Sequence, residues 1–483
     1  MTASSELAPR RADRAGVLDR ALRLFADVQA GEGATVLLLA LNVFLLFTAY
    51  YVIKPIREAL ILSGGGAEVK SYAAAGQALL LLALVPAYGA LADRLPRRAL
   101  LNTVTAFFVL CLVAFYGLTR ANVAVGVVFF LWVGIFNLMI VAQFWSFAND
   151  VYTKEQGERL FAIVAFGGSL GAVVGSVVTG RLIPLVGVAE LLLVAAGLLI
   201  LAVMISNVVD ARERARHENH LPMHLTTAEM PAATGEYQVA MVEDMQKLTV
   251  SLPGTGPATR RGTFRLVFAD RYLLLIALLM LVLNWVNTTG EYILGRTVAG
   301  AAAAAVAAGA SGGLSVQEYI GRFYSQFFFA VNLVGLLVQL FLVSRILKYF
   351  GVKVAVVVLP VIALTGYAIL AFAPILALVR AVKIAENATD YSIQNTVRNV
   401  LFLPTNRDQK YKAKQAIDSF FVRAGDVLSA VLVFTGTTLL GFGTAGFARV
   451  NLVLAAGWLL LALAIGREYA RKSRGLPGSA FSR

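Results

Sequence analysis

Long apolar runs separated by short polar breaks fill most of this chain. A helix needs about 20 apolar residues to cross the roughly 30 Å hydrocarbon layer of a bilayer. Runs of that length fall roughly at 34–62, 70–92, 98–118, 122–149, 159–182, 185–209, 272–298, 320–346, 351–373, 374–403, 416–440 and 443–466. They predict an all-α membrane protein of twelve transmembrane helices in two six-helix bundles. The predicted segments are an N-terminal stretch 1–33, a first bundle 34–209, a linker 210–271, a second bundle 272–466 and a basic tail 467–483.

The first run is interrupted by charge. Lys54, Pro55, Arg57 and Glu58 stand inside it, after Tyr50 and Tyr51. A charge near the bilayer centre costs about 2.5–3.5 kcal/mol even on lenient insertion scales. These side chains therefore face a partner, a cavity or a charged substrate, unless they snorkel to the interface or Glu58 neutralises its neighbours.

Composition agrees with a membrane chain: 59% of residues are hydrophobic, against about 45–50% in soluble domains. Mean hydropathy is +0.75. The net charge of +14 would suit nucleic acid, but the basic residues collect in alternate loops. Arg10 to Arg23, Arg94 to Arg98, Lys154 to Arg159, Arg345 to Lys353, Arg407 to Lys414 and Arg467 to Arg483 are rich in them; the loops between are poor. That is the positive-inside pattern. It places both termini and the central loop in the cytoplasm and the protein in the inner, cytoplasmic membrane, with lipid and not nucleic acid as its surroundings.

The first run is too long for a signal-peptide core, so no cleavable leader is expected. Leu18, Leu22, Phe25 and Val28, alternating with Arg20 and Arg23, predict a short amphipathic helix on the inner interface. One cysteine, Cys111, excludes an internal disulfide. All three histidines, His217, His220 and His224, lie in the linker without a fourth ligand at usable spacing, so neither metal nor cofactor is expected.

Asp93-Arg94-Leu95-Pro96-Arg97-Arg98, preceded by Gly89-Ala90-Leu91-Ala92, joins the second and third runs. This loop resembles the hallmark of major facilitator transporters, whose two six-span halves are joined by a cytoplasmic linker. The resemblance implies that Asp93, Arg94, Arg97 and Arg98 form a gating latch. Ser344 to Lys353 is its positional counterpart in the second half.

Polar groups gather in runs one, four, seven and ten. The tenth carries Arg380, Lys383, Glu386, Asn387, Asp390, Tyr391, Gln394, Asn395 and Arg398, most of them three or four apart and so on one helix face. A polar stripe in an apolar helix lines a cavity. Cations outnumber acids among these groups, and an arginine fork suits phosphate or carboxylate. Candidate substrate-binding residues are Tyr51, Lys54, Arg57, Glu58, Asn149, Asp150, Asn287, Glu291, Arg296, Arg380, Lys383, Asp390, Tyr391, Asn395 and Arg398, with Lys54 and Arg398 expected to close on one anion from opposite halves. The same charges would also serve as interhelical ion pairs.

Gln143 to Asp150, Glu155 to Phe161, Gly167 to Gly171, and Tyr391 to Pro404 with Lys412 to Asp418 look like segments of the nucleotide (ATP/ADP) translocases. That resemblance implies nucleotide binding and ATP/ADP antiport, with Lys54, Asp150, Glu291 and Arg398 matching the family's required positions. Where the family has Asp-Pro-Thr-Lys-Glu, this chain has Asn395-Thr396-Val397-Arg398-Asn399, which keeps the cation and loses the acids. The expectation is a monomeric carrier of nucleotides or related phosphorylated anions working by alternating access. A proton-coupled transporter of another organic anion is the alternative. A membrane enzyme or lipid-handling protein is remote, because no Walker loop, intramembrane histidine or metal spacing is present.

Overall fold

The computed structural model describes residues 22–23, 27–29, 31–92, 95–219, 264–406, 409 and 413–474, with no strand among them. The first helix, α1 (Gly33–Ala92), is broken at Gly66 (φ 75°, ψ −177°), a conformation only glycine adopts without strain. After it come α2 (Arg97–Arg120), α3 (Gly126–Val151), α4 (Lys154–Val186) and α5 (Glu190–Asn219). The later helices are α6 (Arg271–Ala307), α7 (Val316–Val338), α8 (Ser344–Phe372), α9 (Leu376–Thr389), α10 (Asn395–Val400), α11 (Lys414–Ala416), α12 (Val422–Phe434) and α13 (Thr444–Arg474). The π segments Gln339–Val343, Asp390–Gln394, Ile417–Phe421 and Thr435–Leu439 interrupt or end four of these rods.

Among the described residues, eight helices are long and apolar enough to cross a membrane. The sequence predicts twelve spans. The difference has a structural source: α1 and the α7–α8 run each count once but carry a break, at Gly66 and at Gly351 (φ 71°, ψ 178°). The stretches 376–400 and 414–439 are divided between α and π pieces, each too short alone. The sixth predicted span, α5, also runs ten residues past its expected end at 209, and its extension carries an Arg214–Asp210 pair at 2.9 Å. The segment 264–269, assigned to the linker, is helical; the linker between 220 and 263 lies outside the described residues, as does most of the expected N-terminal amphipathic helix.

Small residues set the closest approaches. A Cβ on Gly167, Gly171 or Gly175 of α4 would stand 2.4, 2.3 or 2.6 Å from the carbonyl oxygens of Ala40, Phe44 and Thr48. Glycine every fourth residue thus lets α4 lie against the α1 backbone, as small residues do between membrane helices. Gly425 does the same for α12 on α6, 2.8 Å from Leu281 O and Trp285 N.

At the end of the molecule away from Gly66, each set of helices is braced by an acid just before its first span. Glu32 accepts from Arg159 (3.0 Å), Gln156 (3.1 Å) and the Gln29 amide (2.9 Å). Asp270 accepts from Lys472 (2.9 Å), Gln409 (2.9 Å) and the Tyr272 amide (2.8 Å). Burial pushes both carboxyls up, but hydrogen bonds and the facing cation, Arg159 or Lys472, outweigh it and hold each below its ordinary value.

Candidate functional site

Arg57 and Glu58 sit between two and three turns before the Gly66 break of α1, and Lys54 almost a turn earlier, deep in the protein. Glu58 is 1% exposed, and its carboxylate meets Arg57 Nη2 at 2.5 Å and Lys70 Nζ at 2.7 Å. Lys70 stands just past the break and reaches Glu291 of α6 at 3.8 Å. Glu291 in turn faces Lys383 of α9 at 3.5 Å and accepts from Asn387 at 3.0 Å. Lys383, fully buried, donates to Glu386 (3.0 Å) and to Asn287 Oδ1 (2.8 Å), and the Tyr367 hydroxyl donates to Glu386 (2.9 Å). Acids and bases alternate along this ladder: Arg57, Glu58, Lys70, Glu291, Lys383, Glu386.

The ladder is built by helix geometry. Lys383, Glu386 and Asn387 share one face of α9 at spacings of three and four. Gly290 makes room for it: a Cβ there would lie 2.1 Å from Tyr367 Oη and 3.0 Å from Lys383 Nζ. A second link between the early and late helices lies nearby, where Tyr292 donates to Glu68 at 2.8 Å and Arg296 to Tyr292 at 2.9 Å.

Lys54 stands apart. It is 9% exposed and makes no ion pair or hydrogen bond with any described residue. Aromatic faces surround its ammonium instead: Phe328 at 4.2 Å, Tyr51 at 5.2 Å, Tyr50 at 5.8 Å and Tyr391 at 5.9 Å from the ring centroids. Two of these rings come from α1, one from α7 and one from the π segment after α9. The six ladder charges cancel in pairs, so among the described residues Lys54 is a surplus cation at the junction of the two sets of helices.

Of the residues singled out from sequence, Tyr51, Lys54, Arg57, Glu58, Asn287, Glu291, Lys383 and Tyr391 come together here. Arg296 borders the group, and Arg380 lies 5.5 Å from the Phe323 ring. Others lie elsewhere. Asn149 and Asp150 are exposed at the far end of α3. Asn395 is buried on α10, past the π segment that holds Asp390. Arg398 is not brought to Lys54: it lies seven positions beyond Tyr391, about 10 Å at helical rise, and pairs with Asp418 at 3.4 Å. The π segment Asp390–Gln394 adds a residue to one turn, so the stripe read at α spacing does not continue straight to Arg398.

Of the expected latch, Asp93 and Arg94 lie outside the described residues, as does the side chain of Arg97; Arg98 donates to Asn207 at 3.1 Å. Sequence reasoning missed Lys70, Glu68 and Tyr367 altogether. Lys70 was legible as a lone cation opening an apolar run.

A helical membrane protein with a charged seam between two sets of helices matches many transporters, and the sequence narrows the choice. The pattern of the Major Facilitator Superfamily matches residues 36–403. This chain belongs to the Major Facilitator Superfamily. The facilitator is therefore a multi-pass membrane transporter of a small molecule. No curated protein matches it. Among solved structures, it resembles an auto-inhibited POT-family peptide transporter at 12% identity and a TM-score of 0.57, covering 93% of this chain and 99% of the other. The nucleoside transporter NupG resembles it at 12% identity and a TM-score of 0.56, covering 90% and 99%. A POT-family transporter in complex with 5-aminolevulinic acid covers 90% and 96% at 10% identity and a TM-score of 0.56. At these identities the likeness speaks for the fold alone.

Proposed function

We propose that this facilitator carries a small anion, of the phosphorylated, nucleotide-like kind, by alternating access between its two sets of helices. One observation carries the reading: Lys54 is a buried cation at the seam with no acidic partner among the described residues. A buried charge is retained at a cost of several kcal/mol unless something pairs with it, and a transported anion is the natural partner. Of the four rings around Lys54, Tyr391 is 37% exposed and gives a flat group such as a nucleobase a face to stack on. Alternating positive loops support twelve crossings, with the ends of the chain and the linker cytoplasmic; counting both sides of Gly66 and of Gly351 as spans, and 376–400 and 414–439 as one each, reaches that number. The bundles 34–209 and 272–466 would then be the rocking bodies, monomeric, in the inner membrane, and the Gly66 end, where Lys70 and Glu291 meet, would face outward and be shut in this conformation.

Uptake into proteoliposomes tests the substrate. Labelled ATP is expected to enter vesicles preloaded with ADP, and Lys54→Ala to abolish uptake in a protein that still inserts. If nucleotides are inert but another organic anion is taken up with the same Lys54 dependence, the anion reading stands and the nucleotide part falls. Normal uptake by Lys54→Ala would overturn the site.

A further inference from the structure

Three carboxylates belong to the ladder, and one is held differently. Glu58 faces two cations, Arg57 and Lys70, and Glu291 faces two, Lys70 and Lys383. Glu386 faces only Lys383. Its Oε2 accepts from Lys383 and Tyr367, while its Oε1 is buried without any hydrogen-bond partner. Leaving a buried charged acceptor unsatisfied is costly, and a proton on that oxygen removes the charge. Of the three acids, Glu386 therefore gives up the fewest ion pairs on accepting one.

Its single cation is also shared. Lys383 Nζ lies 3.0 Å from Glu386 and 3.5 Å from Glu291, and Glu291 is the acid that reaches across the seam to Lys70. Charge on Glu386 thus decides how strongly Lys383 engages Glu291. We propose that Glu386 binds a coupling proton, and that protonation turns Lys383 toward Glu291, loosens the Lys70–Glu291 contact and opens the Gly66 end. The proton forms an O–H bond at Oε1. It comes from water reaching the 25% exposed Glu291 side chain and leaves to water on the opposite side once access has switched. No other bond is made or broken, so a proton gradient becomes a driving force for the transport proposed above, on whose alternating-access reading this inference rests.

The groups that face Glu386 are few. Its own helix supplies Lys383, α8 supplies the Tyr367 hydroxyl, and α6 supplies Glu291 and, through Lys383, Asn287. Among the described residues α7, packed on the same helix, gives it no charged partner; the nearby Tyr324 ring lies 5.4 Å from Lys70 Nζ.

The test uses the full chain with Cys111→Ser, spin-labelled at Ala121→Cys and Ala310→Cys, two exposed sites in opposite sets at the Gly66 end, in phosphatidylethanolamine–phosphatidylglycerol vesicles. The label-to-label distance is followed from about pH 8 to about pH 5, across which ordinary carboxyls stay ionised. The parent should shift to longer distances on acidification. Glu386→Gln should stay long at every pH, and Glu386→Asp, which still titrates, should keep a pH response. Lys70→Ala, which removes the cross-seam contact, should be long throughout. If Glu386→Gln responds to pH like the parent, or the parent is indifferent to pH while Lys70→Ala opens, the proton site is overturned and alternating access survives. If Lys70→Ala does not open either, both readings fall.

Discussion

Tyr292 donates its hydroxyl hydrogen bond to Glu68 at 2.8 Å, joining α6 to α1 two residues beyond the Gly66 break. The contact spans the same seam as Lys70–Glu291 but uses a neutral donor, so it can be deleted without leaving an unpaired cation. Hydrogen bonds to charged groups contribute about 1.5–3 kcal/mol. Tyr292→Phe should therefore raise the population open at the Gly66 end roughly ten-fold or more. Thiol labelling of a cysteine placed at Leu62, which is 3% exposed, reads that population; an unchanged labelling rate would mean the contact does not hold the seam.

Lys54 should behave oppositely in stability and in function. A buried ammonium without an ion-pair partner is a liability to folding, only partly offset by its cation–π contacts. Lys54→Met should raise the Tm in detergent while abolishing uptake, a trade expected where a strained site is kept for its chemistry. A Tm drop comparable to truncating a core leucine would show Lys54 to be structural.

The glycine ladder between α4 and α1 makes a graded prediction. Gly171→Ala drives a Cβ to 2.3 Å from a backbone oxygen, whereas Gly197 has nothing within 4 Å of the same position. Overpacking costs about 1–3 kcal/mol, so Gly171→Ala should lower the Tm and Gly197→Ala should not. Equal effects would mean that α4 and α1 are not in close backbone contact.

The braces at Glu32 and Asp270 set an acid limit. Both carboxyls are held below their ordinary values of 4.5 and 3.8. Their contribution is thus complete above those values and is lost as pH falls through the lower folded-state values. Thermal stability should be level at mildly acidic pH and decline below about pH 4.5. Glu32→Gln with Asp270→Asn should start less stable and lose less on further acidification. An unchanged slope would assign acid lability to other groups.

The helical membrane architecture and the gathering of charged groups in its interior were legible because each rests on a local property. Apolar run length reports a span, and a cation in such a run reports a cavity or a partner. Lys54, Glu291 and Lys383 were found that way. Pairings were not legible, since Lys70 and Glu291 are brought together by the packing of distant helices and not by spacing. Arg398 shows the other limit. Its place on the polar stripe assumes unbroken α geometry, and the sequence of Asp390 to Gln394 does not announce the π turn that interrupts it.

Those π turns are unevenly shared. Among the described residues, none falls in 33–219, while 339–343, 390–394, 417–421 and 435–439 all lie among the later helices. A π turn inserts one extra residue into a rod, disturbs its i→i−4 hydrogen-bond ladder and is a place where helices bend. Among the described residues the early helices carry no such turn, and α4 lies backbone to backbone on α1 at its glycines. The two sides of the seam are thus built unequally, and exchange of the amide protons at 390–394 should quicken on turnover while those at 167–175 stay slow.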